Sequence, residues 1–428
     1  MNDILRDEAP QREGRARPRE RRATFTTARL LLSLAAVGAA AAAVAACAND
    51  GSAPSEPPTL DRTSRVPDAG PDATAEAAEG NDAEAGPCDD CEYFVDACQT
   101  DVLCPSGPFE AGTAGGPLDV RTQINVIRGR SATDVWAAGA LGALAHFDGT
   151  SWSRSETGTA ESMRAVWLRD SDEVAFGRPE SLFTRGIDVP DAGASAGGWT
   201  HQEPALANEY KTLRARTMFE SAWGAPGAEW LWLGTRFQTG ALSPIGLWRL
   251  RRSPAGQFEL AVGVRSAVLN EQITSIHGSS PDVLWAVGLE GVTVRVSGAQ
   301  GDAPTVEVFN SQTWNALSGV WAASATDAWA VGSAGTIRHY EGDASTWSVV
   351  ADVPTTANLN AVWGSSPTDV WAVGDGAVVL HFDGARWSRV KIAGLGPRRP
   401  SLHTVWMPGP GHVWIGGHGI VLSLGGNP

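Results

Sequence analysis

A phrase that returns again and again constrains this chain most. Val362-Trp363-Gly364-Ser365-Ser366-Pro367-Thr368-Asp369-Val370-Trp371-Ala372-Val373-Gly374 has a copy from Val320-Trp321-Ala322 to Asp327-Ala328-Trp329-Ala330-Val331-Gly332. Others run from Ile276-His277-Gly278 to Trp285-Ala286-Val287-Gly288, and from Ile127-Arg128-Gly129 to Trp136-Ala137-Ala138-Gly139. Looser copies end at Gly177, Gly234 and Gly416. The seven glycines lie 38, 57, 54, 44, 42 and 42 residues apart. A strand-like unit at this period predicts a ring of small sheets: an all-β, seven-bladed β-propeller of four-stranded antiparallel blades, preceded by a disordered tether.

The copy from Leu359 to Val390 shows how one unit makes a blade. Asn360 to Gly364 is a short inner strand. Ser365 to Asp369 is turn chemistry, because proline presets φ and short polar side chains bond nearby backbone. Val370 to Gly374 is β-branched and aromatic, hence a second strand. Asp375-Gly376 is a hairpin signal, and Ala377 to Phe382 and Trp387 to Val390 complete the four strands. The final copy stops after its third strand, Gly419 to Leu424. A segment within Phe109 to Arg121 is expected to supply the missing strand.

All 18 tryptophans lie between Trp136 and Trp414. Trp167, Trp223, Trp321, Trp363 and Trp406 share one repeat position; Trp136, Trp285, Trp329, Trp371 and Trp414 share another. Burying one such ring is worth about 4–6 kcal/mol as an upper bound, so they read as cement between blades. His146, His339 and His381 stand seven residues after their repeat glycine. They read as a repeated structural hydrogen bond, and Asp134, Asp282, Asp327 and Asp369 as turn formers. No metal, cofactor or catalytic motif is expected: there is no phosphate loop, nucleophile elbow or His-Glu-x-x-His.

The ends follow other rules. Arg12 to Arg22 is arginine-rich, and Leu30 to Ala46 is an uncharged apolar stretch of 17 residues. This pattern marks residues 1–46 as an export signal, short for a spanning helix. Val44-Ala45-Ala46-Cys47 resembles the bacterial lipoprotein lipobox, which implies cleavage before Cys47, its lipidation, and membrane attachment. Ala48 in the next position points to the outer membrane. Residues 47–87 are rich in Ala, Asp, Glu, Gly, Pro and Ser, a composition that cannot bury enough surface to fold. Such a linker reaches roughly 35 Å. Residues 88–108 hold Cys88, Cys91, Cys98 and Cys104, which in an exported chain favour two disulfides over a four-thiolate zinc site. Residues 109–428 are the propeller. The net charge is −15, and residues 1–46 carry eight arginines against five acids, so the remainder is at about −18. That balance argues against nucleic acid as a partner.

The Trp-Gly-Ser-Ser-Pro-Thr-Asp-Val-Trp-Ala-Val-Gly phrase resembles the tryptophan-rich, WD40-like propeller repeats of large bacterial surface lipoproteins, over about residues 120–428. These are distantly similar to sialidase-type (Asp-box) and photosystem-assembly-factor propellers. His146-Phe147-Asp148-Gly149-Thr150-Ser151-Trp152 and His381-Phe382-Asp383-Gly384-Ala385-Arg386-Trp387 approach the Asp box but are one residue short. The resemblance implies architecture and leaves activity open. For a sialidase-like hydrolase, Tyr210 beside Glu209 is the one tyrosine in a suitable loop. Long insertions in 178–222 and 235–276 carry Tyr210, Arg214, Arg216, Arg236 and Arg251, basic and aromatic in an acidic chain, and form the candidate binding loops. The expectation is a monomeric, lipid-anchored module that binds an envelope protein or polysaccharide without catalysis. A glycan hydrolase and an assembly scaffold are the alternatives.

Overall fold

The computed structural model describes residues 90–109, 118–188, 193–211, 217–237, 246–265, 271–342 and 345–424. The described residues form seven sheets. The first strand of each packs on the first strand of the next, and Leu402–Gly409 returns onto Ile124–Ser131, so the sheets form a closed ring. Blades 1 to 6 occupy 124–154, 165–202, 217–264, 273–309, 317–349 and 359–389, each with consecutive strands joined antiparallel.

The expectation of a seven-bladed propeller of four-stranded antiparallel blades is corrected: the ring has six such blades, and the last sheet is built differently. Six blades follow the four-strand antiparallel plan from consecutive strands. The remaining sheet has six strands drawn from three parts of the chain. Leu402–Gly409, His412–Gly417 and Ile420–Leu424 come from the end of the repeat region. Leu103–Pro105 then pairs antiparallel with Ile420–Leu424, Leu103 facing Leu424. Ile392–Ala393 lies parallel to both Leu103 and Phe94–Val95. An incomplete last repeat leaves an open edge, and an open edge must be paired or covered. The closing strand therefore comes from the cysteine-rich segment, not from residues 109–121. Leu103 is fully buried beside Ile392, Leu402 and Leu422. A Cys98–Cys104 disulfide and ion pairs from Asp90 to Arg389 and Arg399 fasten this segment to the ring.

Blade 3 departs in another way. Part of the insertion after blade 2, Ala205–Leu206, adds a fifth strand parallel to Phe258–Val264 and covers that blade's outer edge.

The repeat glycines have a spatial cause. Gly139, Gly288, Gly332 and Gly374 have extended backbone with φ between −159° and −169°. A Cβ on any of them would lie within about 2.1 Å of the carbonyl oxygen of Gln123, Gln272, Ala316 or Asn358. The approach of the chain entering each blade, not a positive φ, excludes side chains there.

Between blades the cement is tryptophan. Trp136, Trp285 and Trp414 are fully buried, and Trp329 and Trp371 nearly so. In blades 1, 5 and 6 the ring stacks on the histidine across the ladder, at 4.3, 3.8 and 4.4 Å between centroids. The same histidines meet Asp134, Asp327 and Asp369 through Nε2 at 2.8–2.9 Å. Burial opposes ionisation of Asp369, yet donors from Ser365, His381 and Trp371 hold its carboxyl below the usual range. These residues form a structural unit. Asp148 and Asp383 each accept two backbone N–H bonds within their turns, so the Asp-box-like aspartates also serve backbone geometry.

Candidate functional site

The inner strands line a narrow central channel laced by bonds between neighbouring blades. Asn125 donates to the carbonyl of Met163, Arg164 pairs with Glu220 at 2.9 Å, and Asn360 donates to the carbonyl of Leu402. At one end, beside the turns from first to second strands, the channel opens into a cavity of about 460 Å³. Trp167, Trp223, Trp363 and Trp406 wall it, together with Arg128, Arg130 and Arg169. A second cavity of about 400 Å³ shares Trp167, Arg169 and Asp170 with the first and runs out between blades 2 and 3 to Phe258. The two form a continuous groove from the axis towards the rim.

Packing of the inner tryptophans explains the shape. A Cβ on Gly278, Gly364 or Gly129 would come within 2.6–2.7 Å of the indole of Trp223, Trp321 or Trp406 respectively. Each glycine is the seat for a ring from the preceding sheet. The sheet after Trp363 carries buried Met407 at the position where blades 1, 4 and 6 have the seating glycines Gly129, Gly278 and Gly364. With that seat filled, Trp363 turns across the axis. It meets His277 of blade 4 at 4.8 Å, edge to face, and the guanidinium of Arg128 of blade 1 lies over it at 4.6 Å.

The electrostatics of this cluster are unusual. Arg128 donates to the carbonyl of its own neighbour Ile127. Among the described residues it has no carboxylate partner. Burial pushes its pKa down to about 10. His277 is 7% exposed, and burial, with the Arg128 charge second, lowers its pKa to about 3. Its Nδ1 accepts the N–H of Ala322 at 3.1 Å, which requires that nitrogen to be unprotonated. Arg169 lies over Trp167 at 5.2 Å and likewise has no carboxylate partner among the described residues. Arg130, by contrast, is neutralised by Asp134 and Glu173. A cation removed from water without a counter-ion costs several kcal/mol unless something pairs with it. The mouth thus presents two guanidinium groups without a carboxylate partner among the described residues, flanked by apolar surface.

The insertion residues lie elsewhere. Tyr210, in the turn Asn208–Tyr210, packs edge-on to Trp248 at 6.1 Å. Arg236 pairs with Glu220 at 2.8 Å, and Arg251 with Glu259 at 2.8 Å over the face of Trp230. None of the three lines the groove. Cys47, Cys88, Arg214 and Arg216 lie outside the described residues, as do the export signal and tether. Cys91 is disulfide-bonded, and Cys98 is joined to Cys104. The sequence did carry a signal for the mouth. Aligned on the inner strand, the seven copies read Arg128, Trp167, Trp223, His277, Trp321, Trp363 and Trp406. The two departures from tryptophan are the residues that meet Trp363.

The structure of YCF48 bound to a D1 peptide is similar to this one, with a TM-score of 0.51, 16% identity, and coverage of 74% of this chain and 95% of that one. YCF48 from Cyanidioschyzon merolae matches with a TM-score of 0.51 and 14% identity, over 72% and 97% of the two chains. The WD40 propeller domain of Doa1 matches at 10% identity and a TM-score of 0.49, over 77% and 96%. At these identities the likeness to the two YCF48 structures establishes the propeller fold and nothing finer. No protein-family profile matches the chain, and no curated protein matches it by sequence.

Proposed function

We propose that this chain is a lipid-anchored, non-catalytic binding module of the cell envelope, and that it takes an acidic segment of a protein partner into the axial mouth. One observation carries the reading: Arg128, a half-buried guanidinium with no carboxylate partner among the described residues, faces the cavity beside four tryptophans. An aspartate or glutamate side chain, or a terminal carboxylate, supplies the missing charge through two N–H donors. The flanking indoles provide rigid contact area at low entropic cost, as hot-spot residues do. The radial groove past Arg169 to Phe258 suits an extended chain. That YCF48 has been solved with a bound peptide supports the use of such a ring for peptides. Support for the anchored location is the arginine-rich leader, its apolar stretch and the lipobox-like Val44-Ala45-Ala46-Cys47.

The test is an array of extended peptides matched except for Asp/Glu against Asn/Gln. Saturable binding is expected for the acidic members. Arg128→Gln with Arg169→Gln should weaken it roughly 10- to 100-fold, the range for losing charge-assisted hydrogen bonds. Arg236→Gln, outside the groove, should leave it unchanged. Equal binding of acidic and amide peptides refutes the proposal.

A further inference from the structure

Trp314 stands apart from every other tryptophan. It is 85% exposed, the one exposed ring among the chain's 18 tryptophans, and it occupies neither repeat position. It projects from the connection between blades 4 and 5. That connection emerges at the opposite strand ends from the arginine mouth. Beside it an open concavity of about 630 Å³ is lined by Glu290, Asn310, Gln312 and Val308.

The loop that carries Trp314 is rigidly held. Buried Arg338 donates from Nε to the carbonyl of Ser311 at 2.7 Å and from Nη2 to that of Gln312 at 3.1 Å. Gln312 sits at φ 54°, a left-handed conformation costly for a residue with a Cβ. It is kept there by Asn310 Oδ1, which accepts its N–H at 2.9 Å, and by its own Nε2 donating to the carbonyl of Trp347. A stapled loop presenting a bare indole loses little entropy when a ligand lands on it.

We infer that Trp314 is the stacking platform of a glycan-binding site for a neutral polysaccharide. Three features select that occupant. The apolar surface amounts to the indole and the exposed edge of Val308. That is far below the roughly 800 Å² each partner contributes to a stable protein interface. It matches the C–H face of one or two pyranose rings. Next to it the exposed Glu290 carboxylate accepts, and the Asn310 amide donates, hydrogen bonds of the kind that fix ring hydroxyls. The net charge of −15 disfavours a polyanionic glycan. This site is independent of the axial mouth and does not rest on the peptide reading.

The experiment uses the full chain and follows tryptophan fluorescence while adding cellohexaose, chitohexaose, laminarihexaose and mannohexaose separately. A saturable blue shift is expected with at least one. Trp314→Ala should remove the shift and weaken binding at least 10-fold without changing thermal unfolding, and Trp314→Tyr should keep most of it. Glu290→Gln should weaken binding roughly 3- to 10-fold. Binding of acidic peptides at the mouth should be unaffected by all three changes. No saturable response to any of the four probes, or a response that survives Trp314→Ala, overturns the inference. So does concentration-dependent dimerisation that Trp314→Ala abolishes, since the ring would then serve a second copy of the chain.

Discussion

His277 should make this ring sensitive to mild acid, and the effect can be sized from its surroundings. The imidazole is nearly buried between Trp223, Trp321 and Trp363, faces the Arg128 guanidinium, and accepts the Ala322 N–H through Nδ1. Its folded pKa of about 3 lies below the ordinary 6.5. Above pH 6.5 the residue is neutral folded or unfolded and contributes no pH dependence. As pH falls from 6.5 towards 3, only the unfolded chain takes up the proton, so stability declines across that window. One pKa unit is 1.36 kcal/mol, so lowering the pH to 5 should cost about 2 kcal/mol. Urea unfolding at pH 7, 6 and 5 measures this, with His277→Asn as the comparison. Asparagine places an amide oxygen near the position of Nδ1 and does not titrate. Its absolute stability should be lower because ring contacts are lost. Its further loss between pH 7 and 5, however, should be about 2 kcal/mol smaller than that of the parent. Arg128→Met should leave the loss between pH 7 and 5 nearly unchanged, because burial is the main cause of the lowered pKa, and removing that charge only ends the decline at a somewhat higher pH. Parallel pH profiles for the parent and His277→Asn would refute the reasoning.

Other consequences follow from the ring's construction. Leu103→Ala, in the closing strand, should cost about 2–5 kcal/mol in denaturant unfolding, because Leu103 is fully buried far from its neighbours in sequence. Trp371→Ala removes a ring that stacks on His381 and donates to Asp369 at 3.0 Å. A loss of about 3–5 kcal/mol is expected, with the whole ring melting earlier as one transition. An unchanged melting temperature would count against its structural role. Cys47→Ser should shift the protein from the membrane to the soluble fraction on cell lysis; retention on the membrane would count against the anchor.

Much of the architecture was legible because it depends on local patterns repeated many times. The turn residues, the alternating strands and the recurrent glycine each recur with the same spacing. A repeat reveals its unit even when any one copy is ambiguous. The Trp136–His146–Asp134 unit could be anticipated in the same way from its regular offsets. The long insertions could be located, but not interpreted. Ala205–Leu206 became an edge strand, and Arg236 and Arg251 found carboxylates on adjacent strands of the same blade, a pairing that depends on strand register.

The sequence by itself determined a ring of small antiparallel sheets cemented by tryptophan, since periodicity and side-chain chemistry are properties of each segment alone. Tertiary structure decided how the ring closes and where its reactive surface lies. Closure depends on which distant segment presents a buried side chain at the right register, and Leu103 does so against Leu424, across almost the whole described chain. The mouth depends on Met407 filling a seat that glycine provides in blades 1, 4 and 6. Trp363 then turns across the axis onto Arg128 and His277, three residues from three blades that only the closed ring brings together.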